Sequence, residues 1–502
     1  MPKTKTAAAK NGAATSAVAD TKQIARLTDI TETIKGKGKK HTNENRRILA
    51  DNKTLKIAAL GGMGEIGKNL YVYEYGGDIV LVDCGISFPD EEMFGVDVII
   101  PDFTYLEHNA YKIRGLVLTH AHEDHIGAIP YLLKKINIPL YGTALTLGLV
   151  EQKLAEHRLL SSAKLHAVKP RDIVSLGAFA VEFIGVNHSV PDSCALALHT
   201  PAGIAVHTGD FKIDYTPIEG EVIDLPRFAE LGQDGVVALM CESTNAERKG
   251  YTASERTVGE SFARLFSQAK GKRIIVATFS SNIHRVQQIA DIALATGRKF
   301  VVSGRSMESV ISKARELGYL NIPSEIFVKI NDVNKYPPSE IVIVTTGSQG
   351  EPLSALQRMS VEKHKQVSVT KNDYIIVSAT PIPGNEKTVS KVINGLMELG
   401  AEVIYENMYD IHVSGHACRE ELKMMIALTR PKFFIPMHGE YKHLKKNAGI
   451  AKDLNIPCEN IFIIKNGEQL QTDGEIMERC GEIEWDSVYI DAAGLGEVDD
   501  IA

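Results

Sequence analysis

His120-Ala121-His122-Glu123-Asp124-His125 follows the apolar run Ile113 to Thr119, so three imidazoles and the Asp124 carboxylate gather where a buried strand ends. Neutral imidazole nitrogen and carboxylate oxygen are donors for Zn²⁺ or Mn²⁺. Four such donors in one short stretch exceed what a single tetrahedral ion with an open position needs. The stretch therefore predicts two adjacent ions rather than one. A histidine-rich polar surface turn is the plain alternative, and it gives no reason for this donor density at a strand end.

Working outward, short strands are expected at Leu55 to Leu60, Asn69 to Tyr75 and Ile79 to Asp83, from alternation and β-branched or aromatic content. A helix is expected from about Ile126 to Ile136, and further strands near Ala195 to Leu198 and Ile204 to Thr208, joined through Pro201-Ala202-Gly203. Near Arg256 the register changes. Arg273 to Ala277 leads to a helical Asn282 to Ala295, Lys299 to Ser303 to Ser306 to Leu317, Glu340 to Thr346 to Glu351 to Met359, and Tyr374 to Ser378 to Asn385 to Leu399. Strand-then-helix units in succession predict a parallel, doubly wound sheet. Lys432 to Pro436 then reads as a strand running to His438, with a helix after it to about Leu454.

Gly62-Met63-Gly64-Glu65-Ile66-Gly67 matches the dinucleotide pattern G-x-G-x-x-G, but that fingerprint must open a helix. Lys68 to Tyr75 alternates and is rich in aromatic and β-branched residues, so a tight turn between strands is the better reading.

The chain carries a formal charge of -7, unevenly spread: residues 1–53 hold twelve Lys or Arg against five Asp or Glu. With Lys35-Gly-Lys37-Gly-Lys39-Lys40 and no apolar period, that segment reads as a disordered basic arm, either a solvated tail or a weak, salt-sensitive contact for nucleic acid. An acidic remainder does not exclude a polyanionic substrate, because metal ligands count as negative while their cations are left out. The six cysteines form no C-x-x-C pair and are expected to be reduced and mostly buried. No apolar run reaches membrane length and the N-terminus carries no signal-like stretch, so a cytoplasmic protein without membrane contact is expected.

Further donors stand at strand ends: His188 in Val-Asn-His-Ser-Val-Pro-Asp, Asp210 in His-Thr-Gly-Asp-Phe-Lys, Glu242 in Met-Cys-Glu-Ser-Thr and His438 in Pro-Met-His-Gly-Glu. Singly, each is as readily a hydrogen-bonded structural residue or a turn former. In this order, and with Gly-Gly-Met-Gly-Glu-Ile-Gly-Lys-Asn69, Val-Asp83-Cys-Gly, Gly-Ser348-Gln-Gly-Glu-Pro and His412-Val413-Ser414-Gly415-His416, the chain resembles the β-CASP nucleases of the metallo-β-lactamase superfamily, and among them the ribonuclease J family. The resemblance covers about residues 55 to 490 and implies an α/β protein, a metallo-β-lactamase αββα sandwich with an inserted β-CASP domain of parallel, doubly wound β/α type. The implied division is a basic arm over 1–53, the lactamase-like domain over 54–255 and 416–490, the β-CASP domain over 256–415, and a linker over 491–502.

By that resemblance His120, His122 and His188 hold one zinc, Asp124, His125 and His438 the other, and Asp210 bridges them, with Mn²⁺ as the alternative metal. Asp83 is implied to orient the loop without binding metal. Two cations about 3.5 to 4 Å apart clamp a phosphodiester and activate a water for in-line attack. His416 is the implied proton donor to the leaving ribose 3′ oxygen, oriented and charged by Glu242, and Asp124 belongs to the catalytic set as well as to the metal. His412, Val413, Ser414, Gly415 and His416 are implied to contact substrate phosphate and to favour a 5′ monophosphate, the alternative being a glycine-rich turn that serves only the domain junction. Phe279-Ser280-Ser281-Asn282-Ile283-His284-Arg285 is either a second RNA-facing stretch or an ordinary helix cap.

The activity implied is 5′-to-3′ exonucleolytic, with endonucleolytic cleavage as a second mode, on single-stranded RNA in RNA maturation and mRNA decay. The partners implied are a second copy or three further copies of the chain and the members of an RNA-degradation complex. A DNA nuclease of the same superfamily is disfavoured by His438, where the DNA-repair branch generally has a small apolar residue. A lactam or thioester hydrolase leaves the β/α insertion, Glu242 and His416 without use, and a noncatalytic RNA-binding subunit is the reading from another class. The family's usual C-terminal domain is expected to be absent after Ala502, which leaves the oligomeric state open.

Overall fold

Along Leu55–Gly61 the side chains alternate between two cores, with Leu55, Ile57 and Ala59 facing one and Ala58 and Leu60 the other. The strand is therefore buried on both faces. A computed structural model describes residues 53–89, 93, 95–349, 354–381, 385–405, 410–491 and 496–497. The basic arm, the Glu351 start of one expected helix and most of the 491–502 linker lie outside the described residues.

Leu55–Gly61 belongs to an eight-stranded sheet in the order Met477–Glu482, Glu468–Thr472, Leu55–Gly61, Leu70–Tyr75, Asp78–Val82, Ile113–Val117, Pro139–Gly142, Lys164–Ala167. A second sheet of six runs Phe433–Met437, Val236–Glu242, Gly203–His207, Cys194–Thr200, Phe179–Gly185, Ile173–Leu176. Val80, Val82 and Val117 of the first sheet pack on Val181, Phe183, Leu196 and Met240 of the second, closing one core between them. The outer face of the first sheet is covered by helices carrying Ile129, Leu132 and Val150, and that of the second by Phe228, Leu422 and Ile450. The result is the expected αββα sandwich.

The insertion leaves and returns between neighbouring strands. Val236–Glu242 and Phe433–Met437 pair in parallel, Glu242 opposite Met437, and everything between them loops out of that one gap. It contains a six-stranded parallel sheet in the order Phe327–Val328, Lys299–Ser303, Ile341–Thr345, Arg273–Ala277, Asp373–Val377, Glu402–Ile404. Its central strands are continuous apolar runs because both faces are covered: Ile274 and Val276 meet one core, Ile275 and Ala277 the other. The four strand-then-helix units are present, the third with its described helix at Ala355–Ser360.

The helix expected from Ile126 to Ile136 is a correction. The chain turns helical earlier, at Glu123–Ile126, and begins again at Ile129–Lys135. Pro130 in the first turn has no N–H for a continuous ladder, and the Ala128 N–H is drawn off to the Cys84 carbonyl at 3.0 Å. Asp124 and His125 thus project from a short helical turn. Gly62-Met63-Gly64 opens no helix; Leu70–Tyr75 follows as a strand. Cys84, Cys194, Cys241 and Cys418 are buried, whereas Cys458 is exposed and Cys480 half-buried. Among the described residues no helix is long and apolar enough to cross a membrane.

Candidate metal centre and phosphate site

Parallel pairing brings one edge of each sheet together as a row of strand ends. Asp83 follows Asp78–Val82, His120 follows Ile113–Val117, His188 follows Phe179–Gly185, Asp210 follows Gly203–His207, Glu242 ends Val236–Glu242 and His438 follows Phe433–Met437. Two backbone features tighten this edge. Asp83 and His438 sit at φ 59° and 51°, the left-handed region a non-glycine residue seldom occupies. Gly85 allows the loops to touch, since an added Cβ would lie 1.6 Å from the Asp124 carbonyl oxygen.

Two donor groups share Asp210. His120, His122, His188 and Asp210 form one, and Asp124, His125, His438 and Asp210 the other, each with donor atoms within 4.8 Å of one another. In the first, His122 Nδ1 lies 3.1 Å from both His120 Nε2 and His188 Nε2. In the second, His125 Nε2 and His438 Nε2 lie 3.3 and 3.5 Å from Asp210 Oδ2.

The outer nitrogens decide what the inner ones present. His188 Nδ1 donates to the Gly415 carbonyl at 2.7 Å, and His125 Nδ1 to Asp83 Oδ2 at 2.7 Å. The Thr119 hydroxyl gives its proton to Asp83 Oδ2 at 2.7 Å, so it accepts from His120 Nδ1 at 3.0 Å. In the neutral rings of His120, His125 and His188, Nε2 therefore carries a lone pair pointing inward. Lone pairs facing each other and a carboxylate repel unless a cation lies between them. Both Asp210 oxygens and both His438 nitrogens are buried without a hydrogen-bond partner, which is costly in a protein interior. Burial opposes charge on His125, yet Asp210, Asp124 and Asp83 outweigh it and push its pKa well above the ordinary range, so that without a cation this ring takes up a proton in the cation's place. Lone pairs, orphaned oxygens and a demand for positive charge fit divalent cations at both groups.

Glu242 and His416 make a third group with Asp210. His416 Nδ1 lies 3.0 Å from Glu242 Oε2 and 3.7 Å from Asp210 Oδ2. Burial would lower its pKa, but the Glu242 and Asp210 carboxylates outweigh burial and hold the ring up at about 9. Glu242 is itself fixed, its Oε1 accepting from the Phe211 N–H at 2.9 Å.

The stretch 412–416 is built more tightly than its sequence suggests. Val413 is buried, and the Gly415 carbonyl serves His188. Ser414 Oγ accepts from Asn245 Nδ2 at 2.9 Å and from the His416 N–H at 3.2 Å, leaving its own proton to donate outward. Of the two readings left open for Phe279 to Arg285, the helix cap is the one seen at Asn282 and Arg285: Asn282 caps Ile283–Ala295 by accepting from the Arg285 N–H, and Arg285 is completely buried. Only Phe279, Ser280, Ser281 and His284 of that stretch keep partial exposure.

Several residues at the site have no metal-type signature. Asn69 Nδ2 donates to the Asp124 carbonyl at 3.0 Å and faces His125 Nε2 at 3.2 Å. Ser189 Oγ lies 3.2 Å from His122 Nε2, and Asn447 Nδ2 donates to the Glu242 carbonyl at 2.8 Å. Glu421 accepts from the N–H groups of Ile213, Thr252 and Cys418 at 2.7 to 2.8 Å, tying the Asp210 loop to the returning chain. Asn69 alone was within reach, as the last residue of the glycine-rich stretch.

Comparisons with known proteins agree with this geometry. Residues 63–236 match the metallo-beta-lactamase superfamily, 271–396 the "Ribonuclease J, beta-CASP domain" family, and 400–458 the "Zn-dependent metallo-hydrolase RNA specificity domain". The superfamily match and the donor groups together make this a divalent-metal-binding protein. The chain is 46% identical over 453 residues to ribonuclease J of Helicobacter pylori, which covers 90% of this chain and 66% of the relative's length. It is 48% identical to ribonuclease J of Synechocystis (88% of this chain, 69% of the relative) and 41% identical to ribonuclease J2 of Bacillus subtilis (92% and 81%). A crystal structure of a protein of unknown function from Enterococcus faecalis V583 shares the fold, at a TM-score of 0.58 and 16% identity, over 83% of this chain and 100% of that one. With the insertion, the returning strand and the shared carboxylate all accounted for, the chain belongs to the ribonuclease J family.

Proposed function

We propose that the chain is a metal-dependent ribonuclease that hydrolyses phosphodiester bonds of single-stranded RNA to leave 5′-phosphate products. The observation that carries this is the Glu242–His416 pair set against Asp210, 3.0 and 3.7 Å from His416 Nδ1. A metallohydrolase acting on a lactam has no need of a charged imidazole held beside its shared carboxylate.

His120, His122 and His188 would hold one ion, Asp124, His125 and His438 the other, and Asp210 both; two Zn²⁺, or Mn²⁺, suit the donor set. When bound, such a pair supplies Lewis-acid polarisation of the phosphoryl group and a nucleophile at neutral pH. The chain's own residues do the rest. His416, charged through Glu242, gives a proton to the leaving ribose 3′ oxygen. The Ser414 hydroxyl proton and the His412 side chain bind substrate phosphate and favour a 5′ monophosphate end. Asp83 keeps His125 and Thr119 aligned.

RNA labelled at either end and carrying different 5′ groups tests the reading, with His122→Ala as control. Stepwise mononucleotide release from a 5′ monophosphate end is expected. Fragments cut only internally would make the enzyme an endonuclease, and metal-loaded protein that cleaves no RNA would refute the proposal.

A further inference from the structure

Both crossings between the lactamase fold and its insertion end on one buried side chain. Glu255 stands on the way in, just before the helix Arg256–Gln268, and residues 411–416 lead out to His416. Between them Arg285, in the first turn of Ile283–Ala295, is 0% exposed. Its Nε and Nη2 donate to Glu255 Oε1 at 2.9 and 2.6 Å. Its Nη1 donates to the Ser378 carbonyl at 2.9 Å and to His412 Nδ1 at 3.1 Å. The Ser378 hydroxyl in turn donates to the Ile411 carbonyl at 2.5 Å, pinning the outgoing crossing a second time. On the incoming side the Glu255 N–H donates to Asp214 Oδ2 at 3.2 Å, four residues beyond Asp210.

A guanidinium has donors only, so His412 Nδ1 must accept and the ring proton must sit on Nε2. Burial, with Arg285, Arg248 and Lys212 nearby, keeps the ring well below its ordinary range and so neutral. His412 is half-buried, and its Nε2 makes no hydrogen bond to the described residues. Two residues on, the Ser414 hydroxyl also has its proton free.

We propose that Arg285 is the positioning residue of the phosphate-binding stretch: it fixes the His412 proton on Nε2 and anchors both crossings, so that a neutral N–H, two residues before the Ser414 hydroxyl, is available to bind a substrate phosphate oxygen. The inference rests on the RNA-hydrolysis reading above. It differs from a purely structural ion pair because His412, through one ring nitrogen, carries the effect to substrate.

The test is steady-state cleavage of a 5′-monophosphorylated oligoribonucleotide by the metal-loaded full chain. A hydrogen bond to a charged group is worth roughly tenfold or more in affinity. His412→Asn, whose amide reaches only the Nδ1 level, should raise KM about tenfold with kcat within about threefold. His412→Gln, which restores an N–H near Nε2, should stay within about threefold of the wild type. Arg285→Lys cannot reproduce the fork and should raise KM about tenfold, and adding it to His412→Asn should bring no further loss. Equal KM for the Asn and Gln variants, or multiplying losses in the double variant, overturns the proposal. If Arg285→Lys does not fold, the two His412 variants decide alone, since both leave the Arg285–Glu255 pair intact. A wild-type chain that cleaves no RNA sinks the hydrolytic reading itself, whereas an active wild type with an unaltered Arg285→Lys variant sinks only this inference.

Discussion

Glu182, in the strand Phe179–Gly185, and Asp210, just past the strand Gly203–His207 of the same sheet, are buried carboxylates, 3% and 2% exposed, yet the chain treats them in opposite ways. Glu182 is neutralised from within. Arg227 grips both of its oxygens at 2.7 and 2.9 Å, and His199 Nε2 adds a third contact at 3.2 Å. Asp210 has imidazoles at 3.3 to 3.8 Å and no hydrogen bond to either oxygen. Burial alone therefore does not distinguish a structural acid from a functional one. What distinguishes them is whether the protein supplies the counter-charge or leaves it to come from solution.

Replacing the shared carboxylate should break the comparison most severely. Asp210→Asn keeps the shape but removes the one charge common to both donor groups. Metal content by elemental analysis should fall below one ion per chain, and RNA cleavage by more than about a thousandfold, beyond the roughly 10- to 100-fold cost of an outer partner. A variant that retains two ions would show that Asp210 resembles Glu182 after all. His416→Ala comes next: cleavage should fall about 10²- to 10⁴-fold with metal content unchanged. Undiminished cleavage would remove His416 from the mechanism.

Asp83→Asn reaches the metal only through Thr119 and His125, so a smaller loss is expected. Metal affinity, measured by competition with a chelator, should weaken about 10- to 100-fold while folding is kept. Full affinity would mean that the left-handed turn at Asp83, rather than its charge, sets the loop.

This gradient also explains what could be read in advance. The hexapeptide His120 to His125 announced a two-ion site by its donor density, the two full donor groups were legible only through the family resemblance that the strand-end His and Asp residues carry together, and the parallel insertion sheet was legible from its succession of strand-then-helix units. Asn245, Glu421 and Asn447 were not, since each works through a partner distant in sequence that only the closed fold supplies. Glu421 shows the difficulty: its charge looks like an ordinary helix-surface residue of Arg419–Thr429, yet it is wholly buried and bonded to three backbone N–H groups. For Arg285 an RNA contact and a helix cap both stay open in the sequence, and only its four inward hydrogen bonds settle that it is buried structure.

Glu182→Gln gives the smallest effect and the sharpest control, because it concerns stability and leaves the metal centre untouched. Burial by itself would raise the Glu182 pKa, but hydrogen bonds from His199 and Arg227 overcome burial and hold the carboxyl down at about 2, from an ordinary 4.5. A folded-state value below the unfolded one means that the ionised form favours folding. The contribution is therefore complete above the unfolded value and is lost as pH falls towards about 2. At pH 7 the variant should unfold about 2 to 3 kcal/mol more easily than the wild type in a urea titration. By pH 3 that gap should shrink by more than half, because in the unfolded wild type the carboxyl has by then taken up its proton. A gap independent of pH would place the effect in lost packing around Arg227, and the contrast with Asp210 would then rest on geometry alone.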